Sequence, residues 1–138
     1  MNSTPKIKGI SHITFICHDL EKTGLMFQLV FDAKEVYSSG DKTFSISKEK
    51  FFKIGDLWIA IMEGKSIEKT YNHIAFHVDE RDLPFLEERI RKLNLTILPG
   101  RERTKEEGKS LYFYDYDNHL FEFHSSDLDN RLKFYNQS

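Results

Sequence analysis

A chain of 138 residues that is 39% hydrophobic, with twelve Phe and six Tyr, has the length and apolar volume of one ordinary folded domain. Its charges nearly balance, 20 Lys and Arg against 22 Asp and Glu, which excludes the broad cationic field that would recruit nucleic acid or anionic lipid. A single cysteine, Cys17, excludes an intrachain disulfide, so the cytoplasm is the expected compartment; residues 1–8 lack a signal-peptide apolar run and no later stretch approaches the roughly 20 apolar residues of a membrane span, so no membrane association is expected.

In chain order, alternating apolar residues predict a first strand over 10–16. Asp19 follows as a cap-like acid before Leu20, Leu25, Met26, Leu29 and Val30, which recur at helical spacing. Strands are predicted over 35–38, 50–55 and 57–62, separated by Ser39-Gly40-Asp41 and Gly55-Asp56 turn chemistry. The plan then starts again: Asn72-His73-Ile74-Ala75-Phe76 repeats Ser11-His12-Ile13-Thr14-Phe15 about half a chain later. A strand over 73–78 leads to Asp82 and a helix carrying Phe85, Leu86, Ile90 and Leu93. Strands follow over 95–98, 110–115 and 120–125, with Asp117-Asn118 turning between the last two. The expected class is α+β with two βαβββ modules, about 8–64 and about 70–126, and a helical tail over 127–138. No Pro- or Ser-rich linker divides them, so 1–138 reads as a single domain.

Three residues suggest chemistry. His12 by itself reads as a hydrogen-bonded core or edge histidine, but His73 holds the same place in the second module, and a pseudo-symmetric pairing could bring both imidazoles to one metal. Glu122 lies in Leu120-Phe121-Glu122-Phe123-His124, where two readings stand side by side: a carboxylate held inside by a metal or partner, or one facing solvent opposite Phe121 and Phe123. Two imidazoles and a carboxylate leave coordination positions open, as a Lewis acid needs in order to polarise a substrate oxygen. His18, His77, His119 and His124 have no repeat-related partner and read as surface or supporting groups.

The doubled plan with His12, His73 and Glu122 is similar to the vicinal oxygen chelate superfamily, which includes glyoxalase I and extradiol dioxygenases. Ser11-His12-Ile13-Thr14, the Ser-Ser-Gly-Asp-Lys-Thr-Phe-Ser run at 38–45, Leu57-Trp58-Ile59, Tyr71-Asn72-His73-Ile74-Ala75-Phe76 and the stretch from Tyr112 to Glu122 resemble the fosfomycin resistance proteins of the epoxide hydrolase type, FosX, over nearly the whole chain. The resemblance implies a homodimer whose paired modules form cupped sheets around each metal, one ligand histidine coming from the opposite chain. Covering one curved sheet with another would also bury both concave faces. It implies Mn2+ as cofactor, although imidazole and carboxylate ligands suit other divalent metals equally.

The same resemblance implies that water opens the fosfomycin epoxide to a vicinal diol with Glu49 as general base. By its own neighbours, Ser47-Lys48-Glu49-Lys50, that residue reads as a solvated charge in a turn. Carry-over by motif assigns substrate contacts to Thr14, Trp58, Tyr71, Ser110, Tyr112 and Arg131, each of which also has an ordinary reading as strand filler, core or exposed charge. In the loop over 101–109, Thr104 and Glu106 stand where the glutathione-transferring FosA type holds a monovalent cation. Positive charge toward the phosphonate would come from Arg101, Arg103, Lys105 or Lys109, of which Lys109 is assigned. Rival readings are a thiol transferase using glutathione or bacillithiol, which Glu49 and the altered loop oppose, and a non-catalytic drug-binding module, which three intact ligands oppose.

Overall fold

Period-two alternation builds both sheets. The computed structural model describes residues 4–100 and 108–137, in two compact units that divide after Gly64. The first contains β1 (His12–Cys17), α1 (Leu20–Phe31), β2 (Lys34–Ser38), β3 (Glu49–Ile54) and β4 (Leu57–Glu63). Its strand order is β1-β4-β3-β2, with β1 parallel to β4 and the other pairs antiparallel. Asp19 caps α1 by accepting the Lys22 N–H at 3.0 Å. Gly24 lets the helix lie close to the sheet, since a Cβ there would stand 3.0 Å from the Phe52 ring. Phe15, Met26, Phe27, Val30, Phe52, Ile59 and Ile61 form the buried layer of this unit.

The second unit repeats the plan: β5 (His73–His77), α2 (Leu83–Lys92), β6 (Thr96–Ile97), β7 (Ser110–Tyr114) and β8 (Leu120–His124), in the order β5-β8-β7-β6, followed by α3 (Leu128–Gln137). Again the first and last strands are parallel neighbours. Leu86 and Ile90 of α2 are buried with Phe113, Phe121 and Phe123, whose rings pack at centroid distances of 5.6 and 5.7 Å from Phe113. The two-module α+β architecture expected from the sequence is the observed one.

Local differences have local reasons. β1 begins at His12, where pairing with Trp58 begins, and leaves Ile10 exposed outside the sheet. β3 begins one residue early, at Glu49, which pairs with Met62. Asp82 does not cap α2: it has helical dihedrals and no side-chain cap bond, because the chain enters through a 3-10 turn at Glu80–Asp82 and Pro84 presets the first turn. Among the described residues no helix is long and apolar enough to cross a membrane.

Candidate active site

Pairing across β5, β8 and β7 decides which side chains of the second unit meet. Ala75 and Tyr112 flank Glu122, His77 and Ser110 flank His124, and His73 lies two residues from Ala75 on the same face. Alternation does set Glu122 opposite Phe121 and Phe123, yet its face is not solvent: the residue is 4% exposed on the central strand. A carboxylate there requires partners.

The partners are directional. The Nδ1 of His73 lies 2.7 Å from the Tyr71 carbonyl, which can only accept, so Nδ1 carries a proton and Nε2 turns outward. Nε2 faces Glu122 Oε1 at 3.1 Å. At that distance either a second ring proton or a metal cation stands between the two atoms. The spacing fits both, an N–H···O bond or two donors about 2.1 Å from a common ion at right angles, which sit about 3 Å apart. The other oxygen, Oε2, accepts the Ser110 hydroxyl at 2.5 Å. His124 Nδ1 is 2.7 Å from Ser110 Oγ, and Arg131 Nη2 is 3.2 Å from His124 Nε2. The Tyr71 hydroxyl donates to Tyr112 at 3.3 Å. Burial, the bond with Tyr71 and the charge of Glu122 together hold the Tyr112 phenol well above its usual range, so it stays a neutral donor. A cavity of about 320 Å³ opens on this array, lined by His73, Glu122, His124, Leu128 and Arg131 among others.

The first unit presents the equivalent face with other residues. His12 and Thr14 on β1, Trp58 and Ala60 on β4, and Glu49 and Phe51 on β3 share it by register. The His12 ring lies 4.2 Å from Trp58, and its Nδ1 is 3.0 Å from Ser11 Oγ. The Trp58 Nε1 is buried and has no hydrogen-bond partner among the described residues. Glu49 is 9% exposed rather than the solvated turn charge its neighbours suggest. Its backbone is locked in both directions to Ser39, at 2.9 and 3.0 Å, while its carboxylate has no partner among the described residues. Adjacent Lys50 turns to the other face, where Nζ meets Glu21 at 2.8 Å and Glu35 at 2.9 Å. Burial disfavours that ammonium, but the two carboxylates outweigh it and its pKa rises.

Tyr71, His73, Ser110, Tyr112, Glu122 and Arg131 are thus gathered in the second unit, while His12, Thr14, Glu49 and Trp58 share a face of the first. Among the described residues no ready-made group of three or more His, Cys, Asp or Glu stands as a metal cluster; the second unit supplies two of the three expected ligands. Lys109 is exposed, with its ammonium 3.9 Å from Glu80, and does not line the cavity. Arg101, Arg103, Thr104, Lys105 and Glu106 lie outside the described residues. His124 is the residue that sequence reasoning left among the supporting histidines and the structure brings to the centre. The available signal was its spacing, two residues beyond Glu122 on one strand.

No protein-family model matches the chain. It is 57% identical over 132 residues to the fosfomycin resistance protein FosX of Listeria innocua, covering 95% of this chain and 99% of that relative. The chain belongs to the FosX family of fosfomycin resistance proteins. A crystal structure of a mutant FosX from Listeria monocytogenes, complexed with Mn(II) and 1S,2S-dihydroxypropylphosphonic acid, is similar with a TM-score of 0.85 and 52% identity, covering 94% of this chain and 98% of that one. Beyond the FosX proteins, the metallothiol transferase FosB of Bacillus licheniformis is 35% identical, covering 94% of this chain and 83% of the relative.

Proposed function

We propose that this chain is a Mn(II)-dependent epoxide hydrolase that adds water to fosfomycin to give the vicinal diol, and so confers resistance to it. The observation that carries the reading is the pairing of His73 Nε2 with Glu122 Oε1, 3.1 Å apart, while bonds at Nδ1 and Oε2 hold the other ends of both side chains and leave these two atoms for an ion. Membership of the FosX family supports it, as does the 1S,2S-dihydroxypropylphosphonic acid bound by the neighbouring FosX structure, a vicinal diol.

His73 and Glu122 would hold the metal together with His12, in a homodimer of cytoplasmic chains. When bound, the ion supplies a Lewis acid for the epoxide oxygen. Glu49 takes a proton from the attacking water as a new carbon–oxygen bond forms; the electron pair of the broken epoxide bond stays on its oxygen, which gains a proton from solvent to become the second hydroxyl, and Glu49 returns its own proton to solvent, so the sum is the addition of one water. The nearly buried, unpartnered carboxylate of Glu49 suits this task, since no cation or donor among the described residues competes for its lone pairs. Arg131 spends one N–H on His124 and has others to offer a phosphonate. Thr14, Trp58, Tyr71 and Tyr112 are the further contacts we assign to the substrate. Ser110 has a single proton, committed to Glu122, so acting as a phosphonate donor would require it to release the carboxylate. Lys109 would have to leave Glu80 to contribute its charge.

The test is phosphorus NMR of fosfomycin incubated with purified protein and Mn(II), without thiol, beside Glu49→Gln. Diol formation that falls about 10²- to 10⁴-fold in the variant is the expected outcome. Product that appears only when glutathione or bacillithiol is added would make the chain a thiol transferase, like its FosB relatives; retention of unmodified drug would make it a binding module.

A further inference from the structure

The hydrogen bonds behind Glu122 have only one consistent polarity. Arg131 can only donate, so His124 Nε2, 3.2 Å from it, accepts. The His124 proton is then on Nδ1 and points at Ser110 Oγ, 2.7 Å away. Ser110 must therefore turn its own proton to Glu122 Oε2, at 2.5 Å. Reversing the chain would set two donors against each other at the Arg131 end and two acceptors against each other at the Glu122 end. The His124 N–H also leans on the same carboxylate oxygen, 3.3 Å away. Both donors thus converge on Oε2, and Oε1 is the oxygen that meets His73.

From this we infer that His124 is a positioning residue of the metal centre: acting through Ser110, it ties down one oxygen of Glu122 and leaves the other to bind the ion. His124 and Glu122 are 9% and 4% exposed, so water is poorly placed to replace a missing link. Without the His124 N–H, the serine hydroxyl loses its fixed direction and the carboxylate is free to swing both oxygens toward the ion. Groups that orient a metal ligand in this way are worth about 10- to 100-fold in metal affinity.

The inference rests on the metal-centre reading, and one Mn(II) titration followed by electron paramagnetic resonance of free and bound ion separates the two. The variants are His124→Phe, His124→Asn, Ser110→Ala, the double variant His124→Phe/Ser110→Ala, and His73→Ala as control, each also melted without metal. Expected is a loss of affinity of about 10- to 100-fold in His124→Phe. His124→Asn, whose amide N–H stands near the Nδ1 position, should recover most of it. Ser110→Ala should match the loss, and the double variant should be no worse than either single one, because all break the same chain. A changed bound-ion spectrum in His124→Phe should accompany the altered carboxylate mode. Affinity in His124→Phe equal to the parent's overturns the inference, as does an equal loss in His124→Phe and His124→Asn, or additive losses in the double variant. If His124→Phe fails to fold, Ser110→Ala against His124→Asn decides: affinity unchanged in Ser110→Ala overturns the inference. Failure of the parent to bind Mn(II), or binding undiminished in His73→Ala, overturns the metal-centre reading instead.

Discussion

In the first unit Ala60 stands on the central strand where the second has Glu122, Phe51 stands where the second has Tyr112, and Glu49 stands where the second has Ser110. The backbones are alike: four strands in equivalent order, a parallel outer pair and one helix between the first two strands. Only the leading histidine, His12 or His73, is common to both faces. The difference teaches that one scaffold can hold two roles. The second unit devotes its face to fixing a carboxylate among Ser110, His124 and Tyr112, and the first keeps at the start of β3 a carboxylate that has no partner among the described residues.

Making the second unit resemble the first at its central strand should have the largest effect. Glu122→Ala is expected to abolish stoichiometric Mn(II) binding by the purified protein, read by paramagnetic resonance, whereas Ala60→Ser, a change at the equivalent position of the first unit, should leave Mn(II) bound. The cores, by contrast, should respond alike. Phe52 and Phe121 are both fully buried, so Phe52→Ala and Phe121→Ala should each cost about 3–5 kcal/mol in denaturant unfolding; a cost below about 1 kcal/mol in one would mean that its core collapses without it.

The two aromatic positions should separate at high pH. Tyr112 has a raised pKa in the folded state, whereas its unfolded counterpart ionises near the ordinary value of 10.0. Its contribution is therefore complete below about pH 10 and is lost as pH climbs toward the folded pKa, because the unfolded chain then releases a proton that the folded chain retains. Tyr112→Phe, which gives this position the residue the first unit has, should flatten the fall in melting temperature above pH 10; an unchanged slope would assign the fall to other groups. The smallest contrast lies at the helix starts. Asp19→Ala should cost about 1 kcal/mol and Asp82→Ala less than about 0.5 kcal/mol, since of these two acids Asp19 alone caps its helix by a side-chain bond to an N–H. Equal losses in thermal unfolding would show that the difference in capping is not energetic.

Much of the fold was legible because its signals are local. The Asp19 cap, the glycine turns and the alternation around His12 and His73 act within a few residues. Asp82 carried the same signal as Asp19 and misled, because a 3-10 turn and Pro84 replaced the cap, a choice made by the geometry of the entering chain. Of the candidate site, the repeat set His12 and His73 at the head of equivalent strands, while Glu49 is assigned through resemblance alone, its own neighbours suggesting solvent.

The sequence by itself determined that this chain is two βαβββ modules with a histidine opening each, since periodicity and turn chemistry are written residue by residue. The tertiary structure decided what surrounds Glu122: whether its face is wet, which oxygen Ser110 takes, and that His124 sets that proton's direction. Those facts depend on the register of β7 against β8 and on where α3 brings Arg131, contacts between segments whose spacing in the chain carries no signal of their meeting.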